Sequence, residues 1–152
     1  MEYNVKEHLH YGGIPSFNSF PVTQDVEGAD IAIMGVPFDS GVTNRPGARF
    51  GPRAIRNMSG LACCFKYPWD YKIAETTKIV DYGDVGYYVG PKTTEVMLQE
   101  THDHAKKILD AGCKLLTLGG DHTIPYGMVR AASEKYGKLA LLHFDSHQDS
   151  TP

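Results

Sequence analysis

Four side chains near the carboxyl end combine types and spacings that can hold metal ions. Asp145, His147 and Asp149 stand two apart in DSHQD, and His122 closes GGDH at 119–122. In an extended segment, residues two apart point the same way, so the three can converge. Two imidazoles and two carboxylates make a mixed N/O donor set without thiolate. Such a set favours Mn2+ over Ca2+ or structural Zn2+, with Fe2+, Ni2+ and Co2+ still open. Two divalent cations sharing bridging carboxylates suit Asp145 and Asp149 better than one. A dinuclear site generates hydroxide near neutral pH, the nucleophile of a hydrolase. His143 shares the parity of Asp145 but lies inside the preceding apolar run, so it reads as a packed second-layer residue. Asp121 either orients a ligand through a hydrogen bond or ties down its own loop.

These side chains need a frame that brings two chain segments together. KLLTLGG (114–120) runs straight into GGDH, and KLALLHF (138–144) runs into DSHQD. Both read as short buried strands, as do DIAIMGVPF (30–38) and KIVDYGDVG (78–86). Helical stretches lie between them. GPRAIRNMSG (51–60) has Pro52 at a first-turn position and Gly60 at its stop. Residues 93–111 carry Val96, Ala105, Ile108 and Leu109 near helical spacing, with Thr93 or Thr94 as cap and Gly112 beyond the end. Residues 125–136 have Pro125 early and Gly137 after them. SGVTNRPGARFGP (40–52), with three Gly and two Pro, reads as a loop. Residues 1–29 show no period and read as an extended arm and loops.

Strands at 30–36, 78–82, 114–118 and 139–144 thus alternate with helices at 52–59, 93–111 and 125–136. That order predicts an α/β chain with a mainly parallel sheet covered by helices on both faces. In such sheets function gathers beyond the carboxyl ends of the strands, where His122 can meet DSHQD. His102 and His104, with Glu100 and Asp103 nearby, read as a solvated helix face. Tyr87, Tyr88 and Trp69 read as packing or edge residues.

The chain's 152 residues are enough for one domain with a real core. A net charge of −3 and the lack of any Lys/Arg run argue against nucleic acid or an anionic membrane as partner. No segment approaches the ~18 continuous apolar residues of a membrane span, and the N-terminus lacks the basic-then-apolar order of a leader peptide. Three cysteines, with Cys63 and Cys64 adjacent, make a poor disulfide framework, and no CxxC occurs. A reduced, cytoplasmic location is the expectation. GGDH lacks the G-x-G-x-x-G spacing and no GxxxxGK[ST] is present, which speaks against a nucleotide-binding domain.

GGDH followed by a strand ending HFDSHQD resembles the arginase/agmatinase family of metal-dependent ureohydrolases. GVPFDSGVTNRPGARFGPRAIR (35–56) is similar to the N-terminal signature of its agmatinase branch. The separated motifs occur in the family's order, and the resemblance runs from about residue 12 onward. It implies a three-layer α/β/α fold and a di-manganese centre. A metal-bridging hydroxide would attack a guanidinium carbon and release urea and an amine. The resemblance also implies that His122 and Asp149 bind the first metal, that His147 binds the second, and that Asp145 bridges both. The family adds two aspartates from a later DxDxxDP-type segment, a His shortly after DxHxD, and an acidic residue that meets the guanidinium. None of these precedes Pro152.

The expected organisation is therefore an arm at 1–29 followed by the N-terminal half of a single catalytic domain at 30–152, a truncated member with little turnover of its own. At family length a homo-oligomer, trimer or hexamer, is implied. Arginases similarly follow DxHxD with an Asn two residues on, where Thr151 stands here. The expected substrate is therefore agmatine, giving putrescine and urea. Guanidinobutyrate, guanidinopropionate and guanidine are rivals. A non-catalytic subunit of the same fold stays open, whereas Asp149 speaks against the related zinc deacetylases. The 40–52 loop is expected at the site mouth, where Asn44 or Arg45 would touch substrate or a neighbouring subunit. The favoured reading is instead that Arg45, Arg49 and Arg53 are structural ties from loop to helix.

Overall fold

The computed structural model describes residues 14–61, 73–147 and 149. Residues 1–13 of the expected arm, Cys63, Cys64, Trp69 and Thr151 lie outside them.

Three parallel strands form one sheet in the order β2–β1–β3. They are β1 (Ile31–Val36), β2 (Ile79–Asp84) and β3 (Lys114–Gly119). In the central strand Ile31 lies opposite both Ile79 and Lys114, and the register with β2 shifts between Ile33 and Met34. β1 is apolar throughout because a central parallel strand is covered on both faces. The helices are α1 (Gly51–Ser59), α2 (Ile73–Thr76), α3 (Thr93–Asp110) and α4 (Pro125–Tyr136). Pro52 and Pro125 occupy first-turn positions, where a missing N–H costs nothing. Gly112 and Gly137, both at positive φ, follow α3 and α4. Lys92, not a threonine, takes the N-cap position of α3, and the Thr93 hydroxyl bonds back to Gly90 instead.

Alternation along the strands sorts side chains to two faces. Ala32, Met34, Val36, Val80 and Tyr82 pack against Met97, Ala105, Ile108 and Leu109 of α3 and Ala131 of α4. Ile33, Ile79 and Leu118 face the other way and meet Phe20. Each fully buried large apolar side chain contributes about 1.5–3 kcal/mol. α1 lies on this second side, so the architecture is the expected three-layer α/β/α. Its anchor is polar. Arg56 donates from Nε and Nη2 to the two oxygens of Asp81, at 2.7 and 2.9 Å, and from Nη1 to Asp84. Gly35 leaves room for this pair, because a Cβ there would fall 1.9 Å from Asp84 Oδ1.

The expected fourth strand at 139–144 does not form. The segment makes no ladder hydrogen bond with any described residue, and Leu141, Leu142 and Phe144 are 78, 79 and 87 % exposed. An apolar run becomes a strand only where a neighbouring edge and covering layers receive it. Here the outer edge of β3 is open among the described residues, and Leu116 on β3 is itself exposed.

The solvated face expected around His102 and His104 is also corrected. His102 is 5 % exposed, with Nδ1 2.7 Å from Asp103 Oδ1 and Nε2 2.9 Å from Glu134 Oε2 of α4. His104 Nδ1 lies 2.8 Å from the Tyr82 hydroxyl. α4 covers this side of α3, which the periodicity of α3 alone does not reveal. Among the described residues, no helix is long and apolar enough to cross a membrane.

Candidate metal centre

Beyond the carboxyl ends of β1 and β3 the backbone is drawn tightly together. Gly120 has φ 75°, and a Cβ on it would fall 2.4 Å from the Val36 carbonyl oxygen, so a side chain is excluded there. Asp121 N donates to the Phe38 carbonyl at 2.8 Å. The Asp121 carboxylate accepts from Gly41 N at 2.6 Å and from Thr123 N at 2.9 Å. Asp121 therefore ties down its own loop and the 40–52 loop with it.

That loop is held at its far end by Asp39, a buried carboxylate just past β1. Asp39 accepts from Gly47 N at 2.8 Å and from Arg49 Nε at 2.7 Å, and Arg49 Nη2 also reaches it. The Arg49 guanidinium, helped by the backbone N–H groups of Gly47 and Arg49, holds the Asp39 carboxyl down at about 2 against the cost of burial. Arg49 is thus a structural tie. Arg45 and Arg53 are exposed and form no ion pair with a described residue. Tyr87 packs edge-on against Phe38 with centroids 5.8 Å apart and donates its hydroxyl to the Pro37 carbonyl, as expected for a packing residue. Tyr88 is exposed.

His122 follows β3 and faces the end of the chain. His122, His143, Asp145 and Asp149 each offer one donor atom, and these four atoms lie within 4.8 Å of one another. His122 Nδ1 contacts Asp149 Oδ2 and is 4.0 Å from Asp145 Oδ2. His143 Nε2 is 3.7 Å from the same Asp145 oxygen, and the His122 and His143 rings lie 5.2 Å apart. The backbone N–H of His147 donates to Asp145 Oδ1 at 2.9 Å. That bond is the main cause that lowers the Asp145 carboxyl below its ordinary value, and the facing imidazoles of His143, His122 and His147 act in the same direction.

Three of the four expected donors, His122, Asp145 and Asp149, are therefore brought together. His147 is not: its side chain is 81 % exposed, with Nδ1 3.5 Å from Asp145 Oδ1. His143, expected as a packed residue, lies in the cluster instead. His143 lies within the 139–144 segment, which forms no strand and leaves it exposed. The same-side placing of 145, 147 and 149 holds for an extended segment, and the backbone leaves that geometry by Asp149, which has φ 48°. The parity of His143 with Asp145 was visible in the sequence, but the assumption that 143 is buried in a strand concealed its availability. The cluster offers nitrogen and oxygen donors open to solvent, a set that fits a divalent cation. Cys113 takes no part, because it is buried and donates to the Val26 and Ala29 carbonyls.

The family model described as Arginase family matches residues 29–152. Over 145 residues the chain is 46% identical to an agmatinase of Chromobacterium violaceum, covering 93% of this chain and 44% of that protein. Over 139 residues it is 40% identical to the mitochondrial guanidino acid hydrolase of Homo sapiens, covering 91% of this chain and 39% of that protein. Among solved structures, a hypothetical agmatinase from Burkholderia thailandensis superposes with a TM-score of 0.82 at 39% identity, covering 91% of this chain and 44% of that one. The proclavaminate amidino hydrolase of Streptomyces clavuligerus gives 0.84 at 32% identity, covering 95% and 48%. The chain spans less than half the length of each of these relatives.

Proposed function

Because the chain belongs to the arginase family, we propose that the complete protein hydrolyses a guanidino compound at a manganese centre, with agmatine as substrate. The observation that carries this reading is the meeting of His122, Asp145 and Asp149 just past β3, in a chain 46% identical to an agmatinase. In this reading His122, Asp145 and Asp149 hold the metal, with His147 as the remaining donor implied by the family pattern. Bound Mn2+ supplies hydroxide near neutral pH and offsets the carboxylate charge. The protein's own part is positional. The Gly119–Gly120 path brings His122 over the sheet edge, Asp121 holds that loop to Gly41, and Asp39 with Arg49 fixes the neighbouring loop.

A guanidino acid is the second reading, supported by the relative at 40% identity that carries that name. Agmatine and a guanidino acid share the guanidinium and differ at the far end, an ammonium against a carboxylate. Urea release by the product of the complete reading frame, loaded with Mn2+, separates them across agmatine, 4-guanidinobutyrate and arginine. We expect the highest kcat/KM with agmatine. A higher value with guanidinobutyrate would move the protein to the second reading. Full Mn2+ occupancy with no urea from any of the three would leave a non-catalytic member of the fold.

A further inference from the structure

We propose that His102 is an imidazolium clamp between α3 and α4, so that the docking of α4, the helix that follows His122, weakens as the ring gives up its proton. The inference does not rest on the metal reading. The buried ring is held between two carboxylates. Nδ1 lies 2.7 Å from Asp103 Oδ1 on α3, and Nε2 lies 2.9 Å from Glu134 Oε2 on α4. A neutral imidazole carries one N–H and can donate to only one of them. Its other nitrogen would then turn a lone pair toward a carboxylate oxygen. Only the protonated ring makes both contacts hydrogen bonds. Gln99 Nε2 stands 3.4 Å from Nδ1, but it is 2.8 Å from Asp103 Oδ1 and donates there.

The helices meet closely beside the ring. At Gly127 of α4 a Cβ would fall 2.8 Å from the Leu98 carbonyl oxygen and 3.1 Å from the backbone nitrogen of His102. Among the described residues, the charges that face the ring are those of Asp103 and Glu134. Arg130 of α4 donates to the other Glu134 oxygen at 3.2 Å and to Gln99 at 3.2 Å. Lys106 of α3 also acts on Glu134, while pairing with Asp110. With the ring protonated, His102 and Arg130 balance the two carboxylates, whereas a neutral ring leaves one negative charge uncompensated. The hydrogen bond from His102 is the leading cause that holds the Asp103 and Glu134 carboxyls below their ordinary values. α4 opens at Pro125, so its seat on α3 holds the chain that leaves His122.

In an unfolded chain an imidazole titrates near about 6.5 and carboxyls near about 4. Because the folded chain holds the ring's proton between two carboxylates, the clamp is fully present below the unfolded imidazole value, down to the carboxylate range, and is lost as pH rises above it. Hydrogen exchange of the product of the complete reading frame tests this. It is read by mass spectrometry on peptides covering 125–136 and corrected for the chemical exchange rate at each pH. From pH ~6 to pH ~8 the protection of α4 is expected to fall by at least about threefold. His102→Gln takes no proton, and Glu134→Gln keeps an acceptor without the charge, so both variants are expected to lose that dependence in the same buffers. A fall in Glu134→Gln equal to that of the parent chain overturns the inference. Protection of the parent chain that is unchanged, or that rises with pH, overturns it too. The Glu134 side chain is 42 % exposed, so Glu134→Gln leaves no unpaired group in the core and decides the matter even where His102→Gln fails to fold.

Discussion

Arg56 and Asp81 are 5 and 1 % exposed, and Arg56 is the only cation that meets the Asp81 carboxylate among the described residues, beside the backbone N–H groups of Phe17 and Gly83. Arg56→Ala leaves the Asp81 carboxylate buried without its two-pronged partner. Removing one member of a buried pair costs about 3–5 kcal/mol, and urea unfolding should record a loss of that size. A loss below 1 kcal/mol would mean that water reaches Asp81 in the variant. His143 calls for the opposite expectation. It is exposed, so His143→Ala should leave the melting temperature unchanged. Its approach to the Asp145 oxygen predicts Mn2+ affinity weakened by about 10- to 100-fold, measurable by calorimetry. Equal affinity in the variant would make His143 a bystander.

The element that frames the centre is the 40–52 loop, and its stability has a pH signature. Asp39 titrates at about 2 in the folded chain against an ordinary 3.8, because the Arg49 guanidinium hydrogen-bonds its charged form. The unfolded chain therefore binds this proton more readily. The contribution is complete above about pH 4 and is lost as pH falls toward about 2. Asp39→Asn is expected to lower the melting temperature at neutral pH and to flatten its dependence on pH across that acid window. An unchanged acid slope would show that the loop's tie to Asp39 does not contribute to stability. Asp39 itself was not singled out from the sequence. The rule that chemistry gathers at strand ends pointed to the end of β1 as well, yet PFDS carries no metal-like spacing to draw attention to its carboxylate.

For the molecule as a whole, the edge of β3 away from β1 carries no strand among the described residues, and Leu116, Leu141, Leu142 and Phe144 are exposed. Exposed apolar side chains and an unpaired strand edge both invite association. Without added metal, light scattering should show a mass that rises with protein concentration. Leu141→Lys with Phe144→Lys should return the chain toward monomer. A chain that stays monomeric at high concentration would show that the edge is already protected.

Much of the architecture was legible because it is written locally. The apolar runs at β1, β2 and β3 and the Pro and Gly punctuation of α1, α3 and α4 depend on neighbours within a few residues, and each element formed close to its expected bounds. The chemistry of the donors was legible for the same reason, since residue type sets what His122, Asp145 and Asp149 can bind. What the tertiary structure decided is which surfaces are covered. KLALLHF has the composition of a strand, but a strand needs an edge that accepts it, and no spacing within seven residues reports that. After that segment His147 is exposed and His143 stands beside Asp145. His102 was misjudged for a matching reason, because its burial is set by Glu134, thirty-two residues away on another helix. Pattern determines what each element can be, and burial, which depends on the distant elements that pack over it, determines what it becomes.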